Sequence, residues 1–147
     1  MTREVSDADV KRVLRDDGLE DEFLSKFHEY ENVTTINLED LREELGAGSW
    51  AVRTTYNEIF GGVIIQQQPG EGNRKHYHPD ADENWVILDG EWEWWIDGVG
   101  TQNVRKNDFI VVPKGVLHKI TCVGSSPGVR YAITRPDVNH VYPLEDE

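Results

Sequence analysis

Two histidines one residue apart, His76 and His78, lie in the stretch HYHPDADENW, and Glu83 follows five residues later. On a β-strand, residues two apart project from the same face, so the two imidazoles stand side by side, joined by Arg74 if the strand starts early enough. A rigid imidazole pair is a starting point for binding Fe, Zn, Mn, Ni or Cu. The intervening PDAD is short enough to return the chain beside itself, which brings the Glu83 carboxylate to the same face. A further histidine, His118, comes from a distant strand after PKGVL. Taken singly, each of these residues is more often a surface group or a satisfied core residue than a ligand.

The elements that must position them change character along the chain. Residues 1–49 read as an acidic helical extension. SDADVKRVLRDDG opens on Ser6 and stops at Gly18, and LEDEFLSKFHEY spaces Leu19, Phe23, Phe27 and Tyr30 for one helical face. NLEDLREELG sets Asn37 as N-cap, Leu38, Leu41 and Leu45 on one face and Gly46 as terminator. From Trp50 to residue 138 the pattern becomes short strands separated by turn residues: WAVRTTY, GGVIIQQQ, RKHYH, NWVIL, EWEWWID, TQNV, DFIVVP, HKITCV and VRYAITR. Many short strands with Gly, Pro and Asp turns indicate an all-β sandwich or barrel. Residues 139–147 read as an acidic C-terminal tail, frayed over YPLEDE.

Composition excludes several function classes. With 28 acidic against 15 basic residues the net charge is −13, which supplies no basic surface for nucleic acid and repels an anionic membrane. The surface is self-repelling, and a high-salt adaptation is one reading of it. No apolar run approaches a membrane span and the N-terminus lacks an export signal, so a cytoplasmic location is expected. The single cysteine, Cys122, forms no disulfide framework.

The spacing resembles the cupin superfamily. Its first motif, G(X)5HXH(X)3–4E(X)6G, is met by Gly70, His76, His78, Glu83 and Gly90. Its second, G(X)5PXG(X)2H(X)3N, is met by Pro113, Gly115 and His118, with Asn107 in place of the first glycine and Cys122 in place of the final asparagine. Asn107 can still serve a turn, since asparagine tolerates the left-handed conformation. The resemblance implies a jelly-roll β-barrel, here with an N-terminal helical extension, holding one divalent metal on His76, His78, Glu83 and His118. Fe(II) is the expected ion, with Mn, Ni or Zn as alternatives. GEGNRKHYH is also similar to the substrate-arginine segment of 3-hydroxyanthranilate 3,4-dioxygenases, although that register would set Asn84 rather than Glu83 as the carboxylate ligand.

Around the metal, Arg74 is expected at the barrel mouth, where its guanidinium would bind a carboxylate or phosphate bidentately, and the base of an O2-independent reaction would be Tyr56, or Glu83 if it is not bound to metal. In VIIQQQ either Gln66 and Gln68 or Gln67 must face inward; Gln66 and Gln68 are taken as pocket residues, with Trp85, on the same face as Glu83, and Arg130. Trp92 and Trp94 read as packing, Glu91 and Glu93 as outward-facing. The expected function is a mononuclear non-haem Fe(II) dioxygenase using O2 on a small, anionic or hydroxylated substrate. Alternatives are an O2-independent isomerase, lyase or decarboxylase, and a non-catalytic small-molecule-binding module. A homodimer is expected, because small barrels of this kind commonly pair through exposed strand edges.

Overall fold

The computed structural model describes residues 2–6 and 26–143. Eleven strands and one helix follow in the order β1 (Thr2–Ser6), α1 (Leu38–Leu45), β2 (Trp50–Tyr56), β3 (Gly61–Gln67), β4 (Gly72–His76), β5 (Glu83–Asp89), β6 (Glu91–Ile96), β7 (Gly100–Arg105), β8 (Phe109–Val112), β9 (His118–Val123), β10 (Gly128–Thr134) and β11 (Asn139–Pro143). All pairings are antiparallel, in a five-stranded sheet β2-β3-β10-β5-β8, a four-stranded sheet β4-β9-β6-β7 and a β1-β11 ribbon.

Alternation decides which side chains fill the barrel. In β6, Trp92, Trp94 and Ile96 are buried while Glu91 and Glu93 are exposed, as the period of two requires. The central cluster draws Ala51, Ile65, Trp85, Ile87 and Ala132 from the larger sheet and Trp92, Trp94, Ile120 and Cys122 from the smaller, so the two sheets share one core. Cys122 is fully buried and packs as a small apolar group.

The helix covers the outside of the larger sheet. The side chain of Asn37 accepts a hydrogen bond from the Asp40 backbone N–H at 3.1 Å, and Gly46, at φ 87°, closes the far end. Leu41 and Leu45 pack on Trp50, Val52, Ile64 and Val129, each leucine contributing about 1.5–3 kcal/mol. The extension expected to be helical begins with a strand instead, β1, which ends on Ser6, and the rest of the helix expected over 6–18 lies outside the described residues. So does most of the one expected over 19–30, whose end at Lys26–Tyr30 is a pair of hydrogen-bonded turns that buries Phe27.

The described part of the expected C-terminal tail, residues 139–143, is a strand. In β11, Val141 exchanges both backbone hydrogen bonds with Tyr77, at 2.9 and 3.1 Å, and His140, Val141 and Tyr142 are buried. β1 pairs along its other edge.

Candidate metal centre

Backbone register brings the four ligand residues together from both sheets. His76 and His118 are directly paired across β4 and β9, and Glu83 opens β5 opposite Val112 of β8. His78 follows β4 and is fixed where the Gly115 N–H donates to its carbonyl at 2.7 Å. The loop before Glu83 is tied to the loop before His118 by the Lys114 N–H donating to Asp82 Oδ1 at 2.8 Å. Asn107, at φ 76°, makes the left-handed turn ahead of β8 that its motif position requires.

One ligand atom from each of His76, His78, Glu83 and His118 lies within 4.8 Å of the others, and all four side chains are buried. Each imidazole is oriented by a backbone carbonyl: His76 Nδ1 by Arg74 O at 2.5 Å, His118 Nδ1 by Val116 O at 2.9 Å and His78 Nδ1 by Asn139 O at 3.1 Å. A carbonyl only accepts, so each Nδ1 carries a proton and Nε2 is the nitrogen left to the cluster. His78 Nε2 and His118 Nε2 both stand 3.0 Å from Glu83 Oε1. Three imidazole nitrogens with one carboxylate oxygen suit Fe, Mn, Ni or Zn. The carbonyl partners are the outer hydrogen bonds that metal-bound histidines use. Burial holds His76 well below the usual histidine range, reinforced by His118, His140 and His78. Burial works to raise the Glu83 carboxyl, but His78 and His118 together hold it well below the usual carboxylate range. Both groups are thus in the deprotonated form a metal needs.

A cavity of about 70 Å³ reaches Glu83 from the outside. Its walls are apolar, with Phe27, Val63, Ile65, Trp85 and Ala132, and its rim carries Arg53, Tyr56, Arg135 and Asp137. Arg53 is held by Glu31 at 3.3 Å and lies over the Tyr56 ring at 3.7 Å.

The residues expected around the metal are distributed differently. Arg74 is exposed and lies over the Tyr142 ring at 4.9 Å. The cause is a register irregularity between Asn73 and His76, which turns Asn73 inward where an uninterrupted strand would present Arg74. Gln66 and Gln68 also point away from the barrel. Gln66 Nε2 donates to Gly46 O and Gly48 O and its Oε1 accepts from Arg42 Nε, while Gln68 Nε2 donates to Ala47 O. Gln67 is the inward residue, accepting from Arg130 Nη2 at 2.8 Å. Arg130 is fully buried inside the barrel but below the cavity, bonded to Gln67 and Asn73, with its guanidinium 4.6 Å from the Trp85 ring centre. Trp85 is a cavity wall, as its face implied. Tyr56 stands at the rim with its hydroxyl donating to Asp137 at 2.7 and 2.8 Å; that bond raises its pKa and commits the proton a base would have to release.

One residue near the centre escaped the sequence reading. His140 of β11 is buried, lines the cavity and places its ring 4.5 Å from that of His78 and 5.3 Å from that of His76. Burial, with His78, lowers its pKa to about 3. Its signal was the alternation of His140 and Tyr142 in NHVYP, masked by the acidic residues that follow.

Residues 63–134 match the model of the cupin domain family. That stretch is a cupin domain. The uncharacterised protein YdbB of Bacillus subtilis (strain 168) is 36% identical over 44 residues, 30% of this chain and 39% of that protein; the match spans well under two thirds of that relative. Among solved structures, KdgF from Halomonas sp. superposes with a TM-score of 0.56 at 16% identity, over 60% of this chain and 81% of that one. An uncharacterised protein with a double-stranded β-helix domain from Klebsiella pneumoniae gives 0.58 at 16%, over 66% and 86%. Oxalate decarboxylase from Lactobacillus farciminis gives 0.53 at 20%, over 60% of this cupin but 28% of that chain. At these identities the likeness is one of fold. Among the described residues no helix is long and apolar enough to cross a membrane.

Proposed function

We propose that this cupin is a metal-dependent enzyme, a mononuclear non-haem Fe(II) dioxygenase acting on a small substrate with oxygen donors. The observation that carries the reading is the convergence of three carbonyl-anchored imidazoles and one carboxylate at the inner end of an apolar-walled cavity. His76, His78, Glu83 and His118 would hold the ion, which when bound supplies the electron transfer that activates O2. Trp85 and Phe27 keep bulk water from the reacting atoms, and Arg53 at the rim favours an anionic substituent on the substrate.

The scarcity of proton-transfer groups supports oxygen chemistry. Glu91 and Glu93 are exposed on the outer face, and the Tyr56 proton is engaged by Asp137. His140 favours a second reading, an O2-independent lyase, isomerase or decarboxylase in which the metal acts as a Lewis acid and the imidazole as base.

The test is oxygen uptake by protein reconstituted anaerobically with Fe(II) and offered aromatic and hydroxy-acid substrates. Uptake stoichiometric with substrate loss, absent in His118→Ala, is the expected result. Turnover that proceeds equally without O2 would overturn it in favour of the second reading. Failure of every divalent ion to bind would reduce the protein to a binding module.

A further inference from the structure

We propose that His140 is the side chain that receives a ligand entering the metal centre from the cavity, hydrogen-bonding a protic oxygen of that ligand without itself ligating the metal. This deepens the metal-centre reading above and rests on it.

Position is the first argument. The rings of His76, His78 and His118 lie 4.2–5.3 Å from one another, and His140 lies at 4.5 and 5.3 Å from two of them. It therefore packs as closely to the ligand rings as they do to each other. Yet its nitrogens are not among the atoms that converge within 4.8 Å. It flanks the ligand set, and unlike the three ligand histidines it forms part of the cavity wall, together with Glu83. A molecule that reaches the centre from the cavity therefore meets both residues.

Rigidity is the second. Val141 exchanges two backbone hydrogen bonds with Tyr77, between the ligands His76 and His78. The carbonyl of Asn139, the residue before His140, orients His78. His140 is stacked on Tyr142 with an interplanar angle of 11°. The strand that carries His140 is thus the strand that sets a ligand's tautomer, and the imidazole is held in register with the centre.

Chemistry gives the ligand class. An imidazole nitrogen can donate to or accept from an oxygen, which suits a hydroxyl or carboxylic ligand. A cavity of about 70 Å³ with apolar walls adds a short hydrocarbon body, so the ligand is a small hydroxylated or carboxylic molecule that binds the metal through oxygen.

The experiment compares wild type, His140→Phe and His140→Gln, each loaded with Co(II). Metal content and the visible absorption spectrum are recorded first, and glycolate is then titrated as an oxygen-donor probe small enough for the cavity. All three proteins are expected to hold equal Co(II) with the same resting spectrum. The Kd for glycolate should rise about ten-fold in His140→Phe, the equivalent of one hydrogen bond, and return most of the way in His140→Gln. A lost ion or altered resting spectrum in both variants would make His140 a metal ligand and overturn the proposal. An unchanged Kd would leave it a mere wall, and wild type that ignores the probe would overturn the protic-oxygen assignment. Wild type that takes up no Co(II) would instead overturn the metal-centre reading and this inference with it.

Discussion

Replacing Gly72 by alanine should disable the metal centre from a distance. Gly72 lies on β4 opposite Thr121 of β9, four residues before His76. A Cβ built there would stand 2.7 Å from the Ile120 carbonyl carbon and 2.9 Å from Thr121 Cα, with the Ile120 oxygen nearer still. These are backbone atoms of a paired strand and cannot rotate away. Ordinary carbon contacts are 3.5–4.0 Å, so β4 and β9 must part locally by roughly 1 Å. The neighbouring hydrogen bonds, Gly70 N–H to Cys122 O and Cys122 N–H to Glu71 O, are each 2.7 Å and would not survive such a displacement. Two lost backbone hydrogen bonds at about 1 kcal/mol each and about 1–3 kcal/mol of overpacking sum to about 3–5 kcal/mol, or a fall in Tm of roughly 10 °C for a chain of this size. Gly98→Ala is the control: Gly98 sits in a turn, at φ 83°, and its Cβ meets nothing within 4 Å, so only conformational strain of about 1–2 kcal/mol applies. Thermal melts of the metal-loaded proteins, with metal content measured in parallel, read both effects. A Gly72→Ala variant that melts within a degree or two of Gly98→Ala and binds metal normally would refute the close approach of β4 and β9.

Loss of either facing ligand, in His76→Ala or His118→Ala, should weaken metal binding at least about 100-fold, since losing even a supporting hydrogen bond costs 10–100-fold. Correspondingly, metal at about 100 times its Kd should stabilise wild type by about 2.7 kcal/mol, roughly 5–10 °C in Tm, and chelation should abolish the gain; neither variant should show it. Gln66→Leu removes two donors and one acceptor under α1 and should cost about 2–4 kcal/mol in urea denaturation while metal content stays at the wild-type value; a parallel loss of metal would place Gln66 inside the barrel after all. The Arg42 hydrogen bond at 2.5 Å lowers the Asp89 pKa, with burial opposing it. The stability it confers is therefore present above the unfolded value near 3.9 and lost as pH falls through the folded value. Because Asp89 is 44% exposed, Asp89→Asn should cost under about 1 kcal/mol at pH 7, and the gap to wild type in denaturant melts should close as pH falls below the folded value.

The strands were legible because their ends are. Turn residues bracket each one, and β2 and β9 begin and end where the sequence implies. What was not legible is phase, wherever both faces of a strand are covered. β3 packs Ile64 against the helix side and Ile65 into the barrel, so the run VIIQQQ shows no contrast between an apolar and a polar face, and Gln66 and Gln67 cannot be told apart by alternation. Arg74 was displaced by an irregularity between Asn73 and His76 that adds a residue to β4. The four ligands needed no phase argument beyond the His76–His78 pair, and Glu83 and His118 fall at strand starts where motif spacing alone locates them.

The same irregularity explains how one barrel serves two ends. On an uninterrupted strand Asn73 and His76, three residues apart, would face opposite sides; here both are buried inside. β4 can therefore give His76 to the metal centre and Asn73 to the floor, where Asn73 and Gln67 accept from Arg130. Burying a guanidinium costs several kcal/mol, and the amide oxygens and the faces of Trp85, Trp92 and Trp94, at 4.6–5.9 Å, offset it at about 1–2 kcal/mol apiece. An apolar floor would have cost less to build. What the arginine adds is fixed geometry: it braces Trp85, two residues from Glu83 on the same inward face, and orients the Asn73 amide that lines the cavity. Wall and ligand are thereby set by one buried charge that lies outside the cavity, and the bulge that carries Arg74 to the surface is what lets β4 reach both ends.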